Sequence, residues 1–283
     1  MECVFVPFEA LEPADRQIFA IILFTEAVFV LAINGFVIYV MWSRGMHKKF
    51  GFKILFLVSV LQILYAIFCL ILFAVTMLTG ETPNCTHRRI FYTPSLVISY
   101  IVNTTTAFLA LDRYLRVHFM KILSGKIEIT KTQYYIIYVV YIFISVVQGV
   151  MTGFGSAIFE NGQLVRLCLA TVDALFILLS IFLYCLSILK LREHQRNSRH
   201  LSSTDRDITR LTKIYFLTFI ICFVPYAVCY FNSILGTSRR IRSIVVLSSY
   251  VMMSCSGIVN GVVFMKYAAK GRNSRDLCKN CDD

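Results

Sequence analysis

Asp112-Arg113-Tyr114 closes a long apolar run, residues 90–112, and that run is one of seven in the chain. A charged pair is costly inside a bilayer and ordinary at its surface. The triplet therefore marks a point where the chain leaves hydrocarbon. An acid, an arginine and an aromatic at such an exit suit a switch, because opposed charges can be held together or parted.

Runs long enough to cross ~30 Å of hydrocarbon as helix fall at 18–42, 52–78, 90–112, 133–155, 168–190, 212–235 and 243–265. Composition points the same way. The 283 residues are 58% hydrophobic and 16% charged, with mean hydropathy +0.71, too little polar surface to cover a soluble core of this size. The expected fold is all-α, one seven-transmembrane helix bundle: an extracellular segment 1–17, the bundle over 18–265, and a cytoplasmic tail 266–283. The first run is too long for a signal-peptide core, and Glu2, Glu9, Glu12 and Asp15 precede it in place of a basic leader. It reads as an uncleaved span.

Seven spans put the termini on opposite sides. Of the 28 Lys and Arg residues, 21 fall with the loops after spans one, three and five and the tail, and seven with the other side. The basic side is expected to be cytoplasmic and the N-terminus extracellular, in a multi-pass protein of the cell membrane. The net charge of +12 then sits in short cytoplasmic loops. Anionic lipid headgroups and an acidic cytoplasmic partner are its expected counterparts, and nucleic acid is not.

The tail Lys266–Cys281 alternates basic and apolar residues, which predicts a short cytoplasmic surface helix after the seventh span. Cys278 and Cys281 in that tail are candidate lipidation sites. Cys85 and Cys168 lie in or beside outward loops, where oxidation is permitted, and a disulfide between them is expected. Cys69, Cys185, Cys222 and Cys255 lie within spans and read as small buried hydrophobes. Asn84-Cys85-Thr86 is the outward glycosylation sequon, on Asn84. Asn103-Thr104-Thr105 spells another, but inside the third span. Pro94 falls in the first turn of the third helix. Pro225 falls mid-span in the sixth, where it frees a carbonyl and bends the helix.

Further spellings repeat along the chain. Asn34 stands in Ala32-Ile33-Asn34-Gly35-Phe36-Val37, Tyr184 near the end of the fifth span, Phe219-x-x-Cys222-Phe223-x-Pro225-Tyr226 in the sixth, and Asn260-Gly261-Val262-Val263-Phe264 in the seventh. With Asp112-Arg113-Tyr114 these resemble the rhodopsin-like (class A) G-protein-coupled receptors over essentially the whole chain. Asn34 matches that family's buried asparagine, and the triplet matches its D-R-Y. Phe223 in place of tryptophan resembles the purinergic and lipid-receptor branch. Asp205 lies twenty residues before Pro225, a helical distance of ~30 Å that brings it to the depth of Arg113.

The resemblance implies a receptor that signals through a heterotrimeric G protein and is not itself an enzyme, with no cofactor or metal. Arg113 would be released from Asp112 and Asp205 as the sixth helix swings outward at Pro225, with Tyr184, Asn260 and Phe264 in the relay. The ligand pocket would lie in the outer half, bordered by Ser95, Ser99, Asp173, Phe223 and Tyr226. Ser95 stands where amine receptors carry an aspartate, which disfavours an aminergic ligand. Arg239, Arg240 and Arg242, with Arg88, Arg89 and Arg166, form an outward basic rim. That rim suits a small anionic or lipid-like ligand, or it balances the acidic N-terminus.

The departures from the family are specific. Gln62 replaces the second-helix aspartate, and Val102 and Gly257 are apolar where hydroxyls are usual, so the family's sodium site is not expected. Gly261 replaces a proline and Phe264 a tyrosine. Trp42 is the only tryptophan, so the fourth-helix tryptophan is missing, and the fifth helix has no proline. Cys85 lies 28 residues before Arg113, about one turn early. These departures keep open a non-coupling, decoy or constitutively active receptor of the same fold. A transporter or channel ranks below both, because Glu26, Gln62 and Asp173 do not lie on one evident path.

Overall fold

The computed structural model describes residues 11–48, 50–80, 85–119, 131–158, 162–197, 213–214, 216–225, 228 and 239–270. Among these, every regular element is helical. Helix α1 spans Pro13–Ser43. The second run is a composite: α2 (Phe50–Tyr65), a π turn (Ala66–Ile71) and α3 (Leu72–Thr79). Then follow α4 (Cys85–Phe119), α5 (Lys131–Ile158), α6 (Gly162–Asn197), α7 (Phe216–Pro225) and α8 (Arg239–Lys270).

Six of these stretches are long and apolar enough to cross a membrane: Pro13–Ser43, Lys53–Thr79, Tyr92–Asp112, Tyr135–Thr152, Leu167–Lys190 and Ser243–Lys266. The described part of the sixth run, Phe216–Pro225, is a shorter apolar helix. Six such helices are compatible with a multi-pass membrane protein.

The helices overrun the hydrophobic runs because polar residues continue a helix as readily as apolar ones. Helix α1 starts before residue 18, since Glu12 is an extended N-cap and Pro13 suits the first turn. Helix α3 stops at Gly80, whose φ of 67° is the left-handed cap, with its N–H bonded to the Thr76 carbonyl at 3.2 Å. Helix α8 continues unbroken to Lys270. Lys266–Lys270 therefore extend the seventh-run helix and do not start a separate surface helix; the tail beyond lies outside the described residues.

Helix α4 is the hub, packed against α2, α5 and α6, while α1 lies against α2, α3 and α8. Of the apolar window of α4, 67% is buried, against 17% for α5. Its small side chains Thr104, Thr105, Thr106, Ala107 and Ala110 allow neighbours close. At Gly149 of α5 a Cβ would sit 2.5 Å from the Val97 Cα of α4, so that crossing requires a glycine. The outer surface is apolar: Ile21, Phe29 and Tyr39 on α1, Val139 and Phe143 on α5, and Leu175 and Phe182 on α6 are all exposed. Cys185 is also exposed, so it faces outward and is not the buried hydrophobe its place in a span suggested.

Candidate functional site

The π turn Ala66–Ile71 shifts the backbone ladder from i→i+4 to i→i+5 bonding. Here the Ser95 hydroxyl of α4 donates to the Phe68 carbonyl at 2.5 Å. Ser99 Oγ donates to the Ser95 carbonyl at 2.9 Å, and Cys69 Sγ donates to that carbonyl at 3.3 Å. Ser95 and Ser99 are buried, at 1% and 6% exposure. Both hydroxyls serve the seam between the π turn and α4.

Deeper in the bundle, Thr106, Leu109, Tyr184, Thr218, Phe219, Phe223, Ser256 and Asn260 enclose a void of about 10 Å³. That is room for about one water. It joins α4, α6, α7 and α8 at a single point. Tyr184 is fully buried, with its ring 5.9 Å from those of Phe216 and Phe219. Phe219 stacks on Phe223 at 4.9 Å. Three residues picked out from sequence, Tyr184, Phe223 and Asn260, thus share one wall.

Asp112 is 2% exposed and Tyr114 partly buried on α4. The side chain of Arg113 lies outside the described residues, as do Asp205, Tyr226, Asn84, Cys278 and Cys281. Pro225 ends the described part of α7. Phe264 is buried, but with Val37, Met41 and Leu55 in a separate apolar cluster. A ring without a hydroxyl has no reason to face the polar void.

The departures in the second and seventh runs fit each other. Gln62 is fully buried with neither amide atom hydrogen-bonded. A Cβ at Gly257 would lie 2.6 Å from Gln62 Cδ. The amide therefore fills the space that Gly257 leaves. Gly261 lets α8 approach α1, since a Cβ there would overlap Ile33 Cγ2. Asn34 donates to the Val30 carbonyl at 3.0 Å on the facing turns of α1.

Three polar groups were harder to place from sequence. Glu26 of α1 accepts from Ser254 Oγ of α8 at 2.6 Å, with Cys255 Sγ 3.6 Å from its other oxygen. It is a helix contact. Arg240 at the start of α8 pairs with Glu12 at 2.7 Å and Asp15 at 2.9 Å, so part of the basic rim does balance the acidic segment before α1. Asp173 is 2% exposed and faces the amides of Gln148 on α5 and Asn103 on α4. Gln148 carries a legible signal, a lone amide in an apolar run.

Cys168 is exposed and free, so the expected Cys85–Cys168 bridge is not formed. Cys85 is the first residue of α4, so Pro94 lies inside that helix and not in its first turn, and the Cys85 side chain lies outside the described residues. No protein-family model matches the chain, and no curated protein matches its sequence.

Proposed function

We propose that the chain is a seven-span receptor of the rhodopsin-like kind, with its N-terminus outside, that activates a heterotrimeric G protein. The observation that carries this reading is the meeting of Tyr184, Phe223 and Asn260 on one small void between four helices. A void at a helix junction is where a small rotation of α7 can change the packing of α6 and α8 together, because packed interfaces are bistable and do not deform smoothly. The buried Asp112 lies on α4, the helix common to these contacts. Arg113 would be the group released to the partner, and the ligand class would be small and anionic or lipid-like.

The test is Arg113→Ala with surface expression held at the wild-type level. G-protein activation is expected to be lost; unchanged activation overturns the mechanism.

A second reading, a receptor of this fold that does not couple or is active without ligand, is favoured by Gln62 and Phe264. The first has no hydrogen-bonding partner and the second faces an apolar cluster, so the usual polar relay toward Arg113 is missing two members. G-protein activation measured without ligand separates the two: basal activity near zero that rises with an acidic ligand supports the first reading.

A further inference from the structure

Asn103 on α4, Gln148 on α5 and Asp173 on α6 come together from three helices, and none of them lines the void described above. Each is at least nine-tenths buried, with exposures of 2%, 3% and 2%. Both amides lie close enough to act on the Asp173 carboxyl, but Asp173 Oδ1 and Oδ2, Gln148 Oε1 and Nε2, and Asn103 Nδ2 all fall short of hydrogen-bond geometry. Orphaned polar atoms in an apolar seam are costly, and a bare charge there costs more.

Among the described residues no charged side chain acts on the carboxyl. Besides charged residues along these helices, of which Arg166, seven residues before Asp173, has its side chain outside the described residues, the packed helices carry phenols: Tyr100 with Thr152 at its hydroxyl, Tyr138 beside Thr105, and Tyr141 with its ring 5.3 Å from Phe176. On α6 itself Cys168 lies five residues away and is exposed.

Counting donors and acceptors narrows the choice. An ionised carboxylate can accept from both amides, but Gln148 Oε1 is then left facing no donor. A metal ion fares badly, since hard cations want about six oxygens and this seam turns amide N–H groups toward the carboxyl. One proton satisfies the whole set. A neutral carboxyl donates its O–H to Gln148 Oε1 and accepts from Gln148 Nε2, closing a ring of two hydrogen bonds, while Asn103 Nδ2 donates to the same carbonyl oxygen. Only the broad terminal torsions of Asp and Gln must turn.

We propose that Asp173, Gln148 and Asn103 form a single-proton site that fastens α5 to α6 beside the hub helix. Proton uptake converts carboxylate to carboxylic acid, with no other bond made or broken. Loss of the proton leaves a charge in a sealed seam, and α5 and α6 must part to hydrate it. Asp173 lies eleven residues before Tyr184, about three turns along the same helix, so the site sets how α6 meets the void. The proposal is independent of G-protein coupling.

The experiment uses the full chain in lipid nanodiscs. The infrared spectrum of the wild type at neutral pH is compared with that of Asp173→Asn, with Glu26→Gln and Asp112→Asn as controls for two other carboxyls of the apolar spans. A protonated-carboxyl C=O band is expected in the wild type and in both controls, and that band is expected to be lost from Asp173→Asn. The native state keeps a proton that the unfolded chain releases, so wild-type stability falls as pH rises until the site empties, and then levels. Asp173→Asn, which retains a ring of two hydrogen bonds with Gln148, is expected to lack that one-proton slope.

A carboxylate band at neutral pH that vanishes in Asp173→Asn overturns the proposal. So does a melting temperature raised by sodium at constant pH in the wild type alone, which would mark a cation site. Should Asp173→Asn fail to fold, alkaline titration of the Glu26→Gln, Asp112→Asn double variant decides: conversion of the C=O band to carboxylate with falling stability supports the site, and an unchanged spectrum overturns it.

Discussion

Ser95 ties two helices through a backbone carbonyl. Its hydroxyl donates to the Phe68 carbonyl in the π turn. Removing that donor gives up a buried hydrogen bond, a net loss of ~0.5–1.5 kcal/mol. Ser95→Ala is therefore expected to lower thermal stability of the purified protein by that amount, where a residue serving only as a ligand contact would leave stability unchanged. Gln62 poses the opposite case. Its amide has no partner and fits against Gly257, so an apolar replacement of similar shape relieves a buried polar group. Gln62→Leu is expected to leave the melting temperature unchanged or raised. Gly257→Ala is expected to lower stability by ~1–3 kcal/mol, the usual cost of overpacking. The two variants together test whether the pair is a steric match.

Helix–helix approach in this molecule depends on missing side chains. Between lipid-facing helices there is little hydrophobic gain to be had, so close packing and polar contacts carry association. Gly149 is the sharpest instance, with Val97 Cα where its Cβ would be. Nearby, Ser145 Oγ donates to Thr104 Oγ1 at 2.6 Å across the same α4–α5 seam. Gly149→Leu must push the helices apart and strain that bond, and is expected to cost at least ~1–3 kcal/mol, read as reduced thermal stability. The ends of the helices matter less. Arg240 bridges α8 to Glu12 and Asp15 before and in α1, but these side chains are largely solvent-exposed. Arg240→Ala is expected to change stability by less than ~1 kcal/mol, and a larger loss would show that the contact is not the open surface pair it looks to be.

Among the described residues, α4 carries more of the buried polar side chains than any other helix, while the perimeter is left apolar. Ser95 and Ser99 meet the π turn, Thr104 meets Ser145 of α5, and Thr106 lines the void. The receptor reading makes one further demand, that the basic loops lie in the cytoplasm. An epitope tag ahead of residue 1 is expected to bind antibody on intact cells, and one after residue 283 only after permeabilisation. Staining in the reverse order removes the proposed orientation.

Hydropathy alone was enough to mark the helical runs, because a chain 58% hydrophobic must satisfy its backbone internally wherever it meets lipid. The triplet, Tyr184, Phe223 and Asn260 were picked out as motif spellings, and the last three line one void. The limits of the helices were not legible, because Pro13 and Gly80 act through caps and Lys266–Lys270 simply continue a helix. Nor did spelling show that Ser95 serves a backbone carbonyl, that Gln62 answers Gly257, or that Asp173 faces two amides. Those pairings join residues far apart in the chain, and their register is decided by which small side chains let which helices touch. The sequence by itself determined that this is a bundle of apolar helices with a charged triplet at the end of one apolar run. Only the packing decided which polar groups meet inside it, because a buried polar atom is defined by its partner, and the partner lies on another helix.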